Sequence, residues 1–281
     1  MLPSRALLEL IRPWASILMG AAVLVGAFLG DPNISLFSLK TLFSCITGFS
    51  LTAAAMALND YFDCEVDAIN EPSRPLPSNS ATMKSAIIIT TTLSGAGLVF
   101  SYLTSIICLA VATAAVIIML TYSTFGKQKG LLGNLLVSMC IATPILYGSL
   151  AVSNGIQLNA LLFASIAFLM NTGREITKTI VDLSGDRAKN VKTFAVVYGE
   201  KRAAVAATAF YSSTVCLSFI PIALHLVSIW FTPFALAIDL ILLYCSVVLV
   251  SDPSRENARS VKKTVFKLFV VGLLAFVTSV L

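Results

Sequence analysis

Long apolar runs, separated by short polar breaks, make up most of the chain. A transmembrane helix needs about 20 mostly apolar residues to cross the hydrocarbon core of a bilayer. The runs predict about nine such helices, with bounds 14–30, 39–63, 83–101, 103–122, 133–152, 158–182, 202–222, 229–250 and 261–281. Breaks rich in Gly, Pro, Asn, Asp and Ser separate several of them. We therefore expect an all-α, multi-pass membrane protein.

The composition favours the same class. Hydrophobic residues make up 57% of the chain and charged residues only 12%, whereas about 25% of residues are charged in an ordinary soluble domain. The apolar runs also lack the polar outer faces that a soluble helical bundle needs. Glu9 and Arg12 interrupt the first run, so we expect the N-terminal segment to stay in the mature protein. We expect residues 1–281 to form a single transmembrane domain.

The basic residues indicate the orientation in the membrane. With nine helices, one side holds the N-terminus and the connections 2/3, 4/5, 6/7 and 8/9. Those segments and the helix ends beside them hold every Lys and Arg except Lys40. The positive-inside rule places this side in the cytoplasm. The net charge of +5 is then explained by topology and by anionic lipid headgroups, so it indicates no nucleic-acid partner.

A first acidic cluster lies at the end of predicted helix 2. On a helix, Asn59, Asp63 and Asp67 are spaced i, i+4, i+8 and share one face, with Asp60 beside them. Carboxylates crowded in this way repel one another, so we expect a positive partner. A ligand set made only of oxygens favours Mg²⁺, which commonly joins a few carboxylates to substrate phosphates.

A second charged cluster lies at the end of predicted helix 6. Arg174, Lys178, Asp182 and Asp186 follow one another in steps of four, which places them on one stripe. Such a stripe can be a simple ladder of salt bridges, worth a few tenths of a kcal/mol per pair. It also caps a membrane helix, where ionisable side chains usually have a functional role.

Together the two clusters suggest a diphosphate site. Each cluster can hold one Mg²⁺, and both ions can bridge one diphosphate while Arg and Lys side chains neutralise its remaining oxygens. A shared diphosphate requires the two clusters to face each other across a central cavity, with the apolar tail of the substrate between the helices. Arg74, in a Pro-bounded loop after the first cluster, can close over the phosphates or serve only the topology.

These motifs resemble those of the UbiA superfamily of intramembrane prenyltransferases. Residues 59–67 match its first signature, NDxxDxxxD, and residues 182–186 match its second, DxxxD. The resemblance covers essentially the whole chain. It implies two pseudo-repeated four-helix halves around a central cavity, each carrying one acidic cluster.

The resemblance also implies roles for individual residues. The metal and diphosphate ligands it implies are Asn59, Asp63, Asp67, Asp182 and Asp186. Asp60 is expected to be a further catalytic ligand or a neighbour of one, and Arg174 and Lys178 are expected to contact phosphate.

The third signature of the superfamily, a Tyr followed by a Lys in connection 4/5, is matched imperfectly. Gly126 stands at the usual Lys position after Tyr122, and Lys127 comes one residue later. Tyr122 and Lys127 are candidate substrate-binding residues.

Further stretches resemble one branch of the superfamily. They are residues 70–78, the triplet Leu132-Gly133-Asn134 and residues 174–201. That branch transfers a geranylgeranyl group from its diphosphate to the free hydroxyl of geranylgeranylglyceryl phosphate, a step toward archaeal ether lipids. The partners this implies are an isoprenoid diphosphate, a lipid acceptor and membrane lipids, and the implied cofactor is Mg²⁺. The implied mechanism is ionisation of the allylic C–O bond in a pocket that excludes water, followed by capture of the cation by the hydroxyl.

Two other functions remain open on the sequence alone. Within the superfamily, the acceptor can be aromatic, as in quinone or haem-side-chain prenylation. Outside it, a secondary transporter also has intramembrane carboxylates and internal repeats, although its sites lie near the membrane midplane rather than at helix ends. Asp239 lies in the middle of predicted helix 8, where we expect a carboxylate to be paired or functional.

Overall fold

The computed structural model describes residues 4–35, 38–153 and 155–280, and it describes side chains within 6–35, 38–126, 129–153 and 155–275. The described backbone contains helices joined by turns and loops, and no strand. The α-helices are α1 Ser4–Ile11, α2 Pro13–Gly30, α3 Leu39–Asn70, α4 Met83–Thr104, α5 Ile106–Thr124, α6 Leu131–Val152, α7 Leu158–Val181, α8 Leu183–Ala188, α9 Phe194–Tyr198, α10 Glu200–Ala223, α11 Phe231–Ser251 and α12 Arg255–Val280. A short 3-10 helix, Gly126–Lys129, follows α5.

Seven of these helices are long and apolar enough to cross a membrane. They are α2, α3, α4, α5, α6, α10 and α11. The chain is therefore a multi-pass membrane protein, but the predicted count of nine spans is not confirmed. The two remaining predicted spans correspond to the long helices α7 and α12. Both carry several charged side chains at one end, which shortens their uninterrupted apolar stretch.

The main change from the predicted bounds is at α3. This helix continues to Asn70 instead of ending near residue 63. The whole first acidic cluster therefore lies on one continuous helix, as its spacing requires. The junction between α4 and α5, which the sequence marks weakly, is fixed by Ser105, whose side chain accepts a hydrogen bond from the Cys108 amide and caps α5.

The chain divides into two compact units. The first comprises Met1–Gly126 and Pro144–Gly155, and the second comprises Lys127–Thr143 and Ile156–Leu281. The boundary falls inside α6 at Pro144, a residue that removes one backbone hydrogen bond from a helix. The first unit carries residues 59–67 and the second carries residues 182–186, so each unit contains one acidic cluster.

In the first unit, small residues let α2 pack closely on the second part of α6. A Cβ added at Gly148 would lie 1.9 Å from the Val23 carbonyl oxygen, and one added at Gly26 would lie 2.0 Å from the Ile145 carbonyl oxygen. Glycine is therefore required at both positions. Close backbone approach of this kind is typical of helices packed within a membrane.

In the second unit, α7, α10, α11 and α12 share one apolar core. Its largest fully buried side chains include Ile176 and Ile180 of α7, Tyr211 of α10, Leu242 of α11 and Val265 of α12. α7 thus contributes apolar side chains to this core. The charged stripe of the same helix lies on another face, beside this core.

Candidate active site

The first acidic cluster lies on one face of α3 in its last three turns. Asp60 and Asp67 are buried, whereas Asn59 and Asp63 are half-buried. Such burial of carboxylates in a membrane protein requires compensation by cations, hydrogen bonds or bound metal. The sequence predicted a positive partner for these groups, and the structure identifies two.

Arg12 and Arg74 supply the positive charge. Arg12 donates a hydrogen bond from Nη2 to Oδ1 of Asp60. Arg74 Nη1 donates to Oδ2 of Asp67 at 2.5 Å and lies 3.4 Å from Oδ1 of Asp60. The two arginines reach α3 from different segments, one preceding α2 and the other in the loop after α3. Removing either arginine would be costly, because a buried carboxylate would be left without a compensating charge.

The electrostatics of Arg74 follow from this position. Burial lowers the pKa of its guanidinium, but the carboxylates of Asp67 and Asp60 outweigh that effect, and the pKa is raised above its usual value. Arg74 therefore stays charged at any pH at which the protein works. Arg74 thus contacts the first cluster, and its predicted contact with phosphate stays a prediction.

Asn59 is oriented by the neighbouring helix α5. Its Oδ1 accepts a hydrogen bond from Ser123 Oγ at 3.0 Å. Ser123 directly follows Tyr122, which is half-buried near the end of α5. The structure thus brings the third-signature region close to the first cluster. The side chain of Lys127 lies outside the described residues, so its predicted role stays a prediction.

The donor atoms of this cluster suit a hard cation. They are carboxylate and amide oxygens, which is the chemistry that Mg²⁺ favours. Oδ2 of Asp60 is buried and has no hydrogen-bond partner among the described residues, so one oxygen of the cluster is left to bind another group. Within the described part of the chain, no three His, Cys, Asp or Glu side chains form a ready-made metal site. In the first cluster, arginines contact two of the carboxylates.

The second cluster lies where α7 ends. Arg174 Nη1 donates to Glu175 Oε1 at 2.6 Å, and Lys178 Nζ lies 3.9 Å from Asp182 Oδ2. The stripe is not one uninterrupted helix as predicted, because α7 ends at Val181 and α8 begins at Leu183. Asp182 lies between them with φ −91° and ψ 3°. The backbone hydrogen bond from Asp186 to Asp182 is nevertheless kept, so the two aspartates remain one turn apart.

Asp186 is held by the segment that follows α8. It is buried, and its Oδ2 accepts a hydrogen bond from Thr193 Oγ1 at 3.0 Å. Its backbone carbonyl accepts from the amide of Val191 at 2.8 Å. The same segment contacts α7, because the Ala195 amide donates to Thr179 Oγ1 at 3.2 Å. Asp186 is therefore fixed in position by short-range contacts.

A close contact between α7 and α10 sets the position of the charged stripe. A Cβ at Gly173 would lie 2.6 Å from the ring of Tyr211. One turn later, Thr177 Oγ1 and the Tyr211 hydroxyl are 2.9 Å apart. This contact fixes both the depth and the rotation of α7, and with them the direction in which Arg174 and Lys178 point.

Some residues of the site were not identified from the sequence. Arg12 was assigned to topology, yet it contacts Asp60. Lys262, also assigned to topology, interacts electrostatically with the second cluster, and the Phe266 ring lies 5.7 Å from the guanidinium carbon of Arg174. For Arg12, a usable signal was its place directly before Pro13 at the start of an apolar helix. For Lys262 and Phe266, no local pattern marks the contact with α7.

Asp239 has a partner that the sequence did not indicate. It is buried in α11, and its Oδ2 accepts a hydrogen bond from Ser218 Oγ of α10 at 2.7 Å. Asp239 is therefore paired, which is one of the two alternatives expected for this mid-span carboxylate. The bond joins two neighbouring helices of the second unit.

The fold and these two clusters define a class: a multi-pass membrane protein with two oxygen-rich, charged sites at helix ends. Comparison with known proteins identifies the family. The UbiA prenyltransferase family matches residues 17–273. The chain belongs to this family, and it is a prenyltransferase.

Individual relatives agree with this assignment. The digeranylgeranylglyceryl phosphate synthase of Archaeoglobus fulgidus is 34% identical over 276 residues, which cover 97% of this chain and 94% of that protein. The enzyme of the same name from Korarchaeum cryptofilum is 32% identical over 271 residues, covering 96% and 95%.

Solved structures have the same fold. A digeranylgeranylglyceryl phosphate synthase structure superposes with a TM-score of 0.77 at 28% identity and covers 98% of both chains. A UbiA homologue from Archaeoglobus fulgidus, bound to DMAPP and Mg²⁺, has a TM-score of 0.72 at 17% identity, again covering 98% of both chains.

Proposed function

We propose that this protein transfers a geranylgeranyl group from geranylgeranyl diphosphate to the free hydroxyl of geranylgeranylglyceryl phosphate. The observation that carries the proposal is the first cluster, in which two arginines contact two of the four oxygen-bearing side chains on one helix face. Carboxylates and guanidiniums in one place suit a metal-bound diphosphate, since each charge type has a counterpart in that ligand. The similarity to digeranylgeranylglyceryl phosphate synthases over nearly their full length supports the choice of acceptor.

The metal ligands follow from the chemistry of the donor set. Asn59, Asp63 and Asp67 would hold one Mg²⁺, and Asp182 and Asp186 a second. The homologue solved with DMAPP and Mg²⁺ supports the choice of Mg²⁺ as the cofactor. Bound Mg²⁺ supplies positive charge that stabilises the departing diphosphate.

The arginines have a direct role in binding the donor. If Asp67 binds metal, Arg74 would lose that partner and its guanidinium would be available to the diphosphate oxygens. Arg12 pairs with Asp60 through Nη2, so its other N–H donors would be available to the same oxygens. Arginine suits this task because its planar guanidinium forms paired hydrogen bonds with phosphate oxygens. The half-buried Tyr122, Arg174 and Lys178 are the further substrate-binding residues we propose.

The chemistry of transfer needs little covalent help from the protein. The allylic C–O bond breaks, the bonding electron pair leaves with the diphosphate, and the glycerol hydroxyl attacks the carbon and loses its proton. Charged residues lower the energy of the departing group because they are held in place before the reaction. The surrounding helices must exclude water, because water would otherwise capture the cation.

We further propose that the N-terminus and the acidic helix ends face the cytoplasm, on the basis of the positive-inside rule.

Purified protein in lipid nanodiscs, supplied with geranylgeranyl diphosphate, geranylgeranylglyceryl phosphate and Mg²⁺, is expected to form the doubly prenylated glyceryl phosphate, detected by mass spectrometry. Absence of this product, together with prenylation of an aromatic acceptor, would contradict the proposal.

A further inference from the structure

Helix α12 places a lysine beside the second cluster. Arg255 Nε, at the start of α12, donates to the Val181 carbonyl at the end of α7, at 3.0 Å. Eleven residues later, the Phe266 ring lies 5.7 Å from the guanidinium carbon of Arg174. Lys262 lies between these two contacts, one turn before Phe266, and is half-buried. Its side chain is therefore on the side of α12 that contacts the charged stripe of α7.

Lys262 is a cation in excess of the nearby ion pairs. The charged groups that it faces are Asp182, Lys178, Arg174 and Glu175. Arg174 already pairs with Glu175, and Lys178 pairs with Asp182. Among the described residues, Lys262 makes no ion pair of its own. Among these five groups, three cations stand against two carboxylates.

Arg174 adds a second donor without an acceptor. Its Nη1 is used by Glu175, but its Nε is buried and has no hydrogen-bond partner in the described part of the chain. A buried N–H left in this way carries a desolvation cost that a ligand oxygen would remove. The Phe266 ring lies over the same guanidinium.

We propose that Lys262 and Arg174 form a subsite for the phosphate monoester of the lipid acceptor. The proposal rests on the proposed function and extends it to the group that distinguishes this acceptor from an unphosphorylated one. A phosphate monoester presents several charged oxygens. The proposed function assigns Mg²⁺ to the diphosphate but no metal ion to the phosphate monoester. It therefore needs direct contact with protein cations, and Lys262 with Arg174 supplies both charge and N–H donors.

The neighbouring lysine is a matched control. Lys263 follows Lys262 on the same helix but points about 100° away and is exposed. It has the same charge and the same helical environment, and it takes no part in the ion pairs described for the second cluster. A general effect of lost positive charge near the lipid headgroups would appear equally in both lysines.

The test is equilibrium binding in neutral-lipid nanodiscs, with Mg²⁺ and a non-reactive thio analogue of geranylgeranyl diphosphate present. The two ligands are geranylgeranylglyceryl phosphate and geranylgeranylglycerol, which lacks the phosphate. We expect Lys262→Met to weaken binding of the phosphorylated ligand by about ten- to a hundredfold, the range for charge-assisted hydrogen bonds. Binding of geranylgeranylglycerol should not change, Lys263→Met should behave as the wild type, and Lys262→Arg should keep the preference for phosphate.

Several outcomes would overturn the subsite. One is that Lys262→Met weakens the binding of both ligands equally. Another is that it weakens only the binding of the donor analogue. A third is that the wild type loses its preference for the phosphorylated ligand when anionic phospholipid is added to the discs. That result would mean that Lys262 binds the headgroups of bulk lipids. If Lys262→Met does not fold, Lys262→Gln answers the same question with a polar side chain. Because binding is measured without turnover, a protein that binds the phosphate through Lys262 but forms no product would contradict only the proposed function.

Discussion

Arg12 and Asp60, 48 residues apart in the chain, form a hydrogen-bonded ion pair. Asp60 is 2% exposed, so its charge is almost wholly removed from solvent. Arg12 has φ 43° and directly precedes Pro13, the first residue of α2. A non-glycine residue in the left-handed region is uncommon. The unusual backbone at Arg12 thus coincides with an ion pair at the first cluster.

Replacing Arg12 with Gln should weaken donor binding. The variant keeps hydrogen-bonding capacity but removes a charge that pairs with Asp60 and that we also assign to the diphosphate. We expect the KM for geranylgeranyl diphosphate to rise by about tenfold or more, since a hydrogen bond to a charged group contributes about 1.5–3 kcal/mol. Lys84→Gln, an exposed cation at the start of α4, is the control and should leave this KM unchanged. An unchanged KM in Arg12→Gln would exclude contact between Arg12 and the donor.

Neutralising one carboxylate in either cluster should reduce turnover strongly. Asp63→Asn and Asp186→Asn keep nearly the same shape and remove one negative charge each. Electrostatic stabilisation of a leaving group is typically worth about a hundred- to thousandfold in rate per key contact. We expect losses of that size in kcat, with thermal unfolding close to that of the wild type. Asp31→Asn, in the loop after α2, is the matched control. Wild-type turnover in a cluster variant would remove that residue from the ligand set.

Removal of divalent cations should stop the reaction reversibly. This prediction follows from the set of hard oxygen ligands on α3. It also follows from the buried Oδ2 of Asp60, which lacks a hydrogen-bond partner among the described residues. After exhaustive EDTA treatment, product formation should fall to background, and Mg²⁺ should restore it. Full turnover in EDTA would rule out the metal-dependent mechanism.

The packing of α2 against α6 gives a stability prediction. Gly148→Ala places a methyl group 1.9 Å from the Val23 carbonyl oxygen, so the helices must move apart. Overpacking of this kind costs about 1–3 kcal/mol, and the thermal unfolding midpoint in detergent should fall. Gly95 on α4 has no atom within 4 Å of an added Cβ, so Gly95→Ala should leave the midpoint unchanged or slightly raised. Equal midpoints for the two variants would contradict the close contact.

The sequence predicted those features that depend on local spacing. The apolar runs located the long helices, and the spacing of Asn59, Asp63 and Asp67 placed them on one helix face, because both patterns repeat with the period of the helix. The same reasoning placed the end of α3 too early. Charged residues ended the apolar run at residue 63, whereas the helix itself continues to Asn70.

Contacts between distant segments could not be read in the same way. Nothing near Arg12 in the chain indicates Asp60, and nothing near Lys262 indicates the stripe on α7. These pairs depend on how whole helices pack, which contacts such as Gly173 with Tyr211 determine. The predicted meeting of the two acidic clusters at one diphosphate, and the apolar tunnel beside it, stay predictions for the same reason.

The choice of acceptor is the most direct test of the proposed function. Purified protein with Mg²⁺ and limiting geranylgeranyl diphosphate would be given equal concentrations of geranylgeranylglyceryl phosphate and 4-hydroxybenzoate, and both products would be quantified by mass spectrometry. We expect nearly all of the geranylgeranyl group on the glyceryl phosphate. Predominant prenylation of 4-hydroxybenzoate would contradict the proposed acceptor, and release of diphosphate with neither product would contradict the proposed transfer.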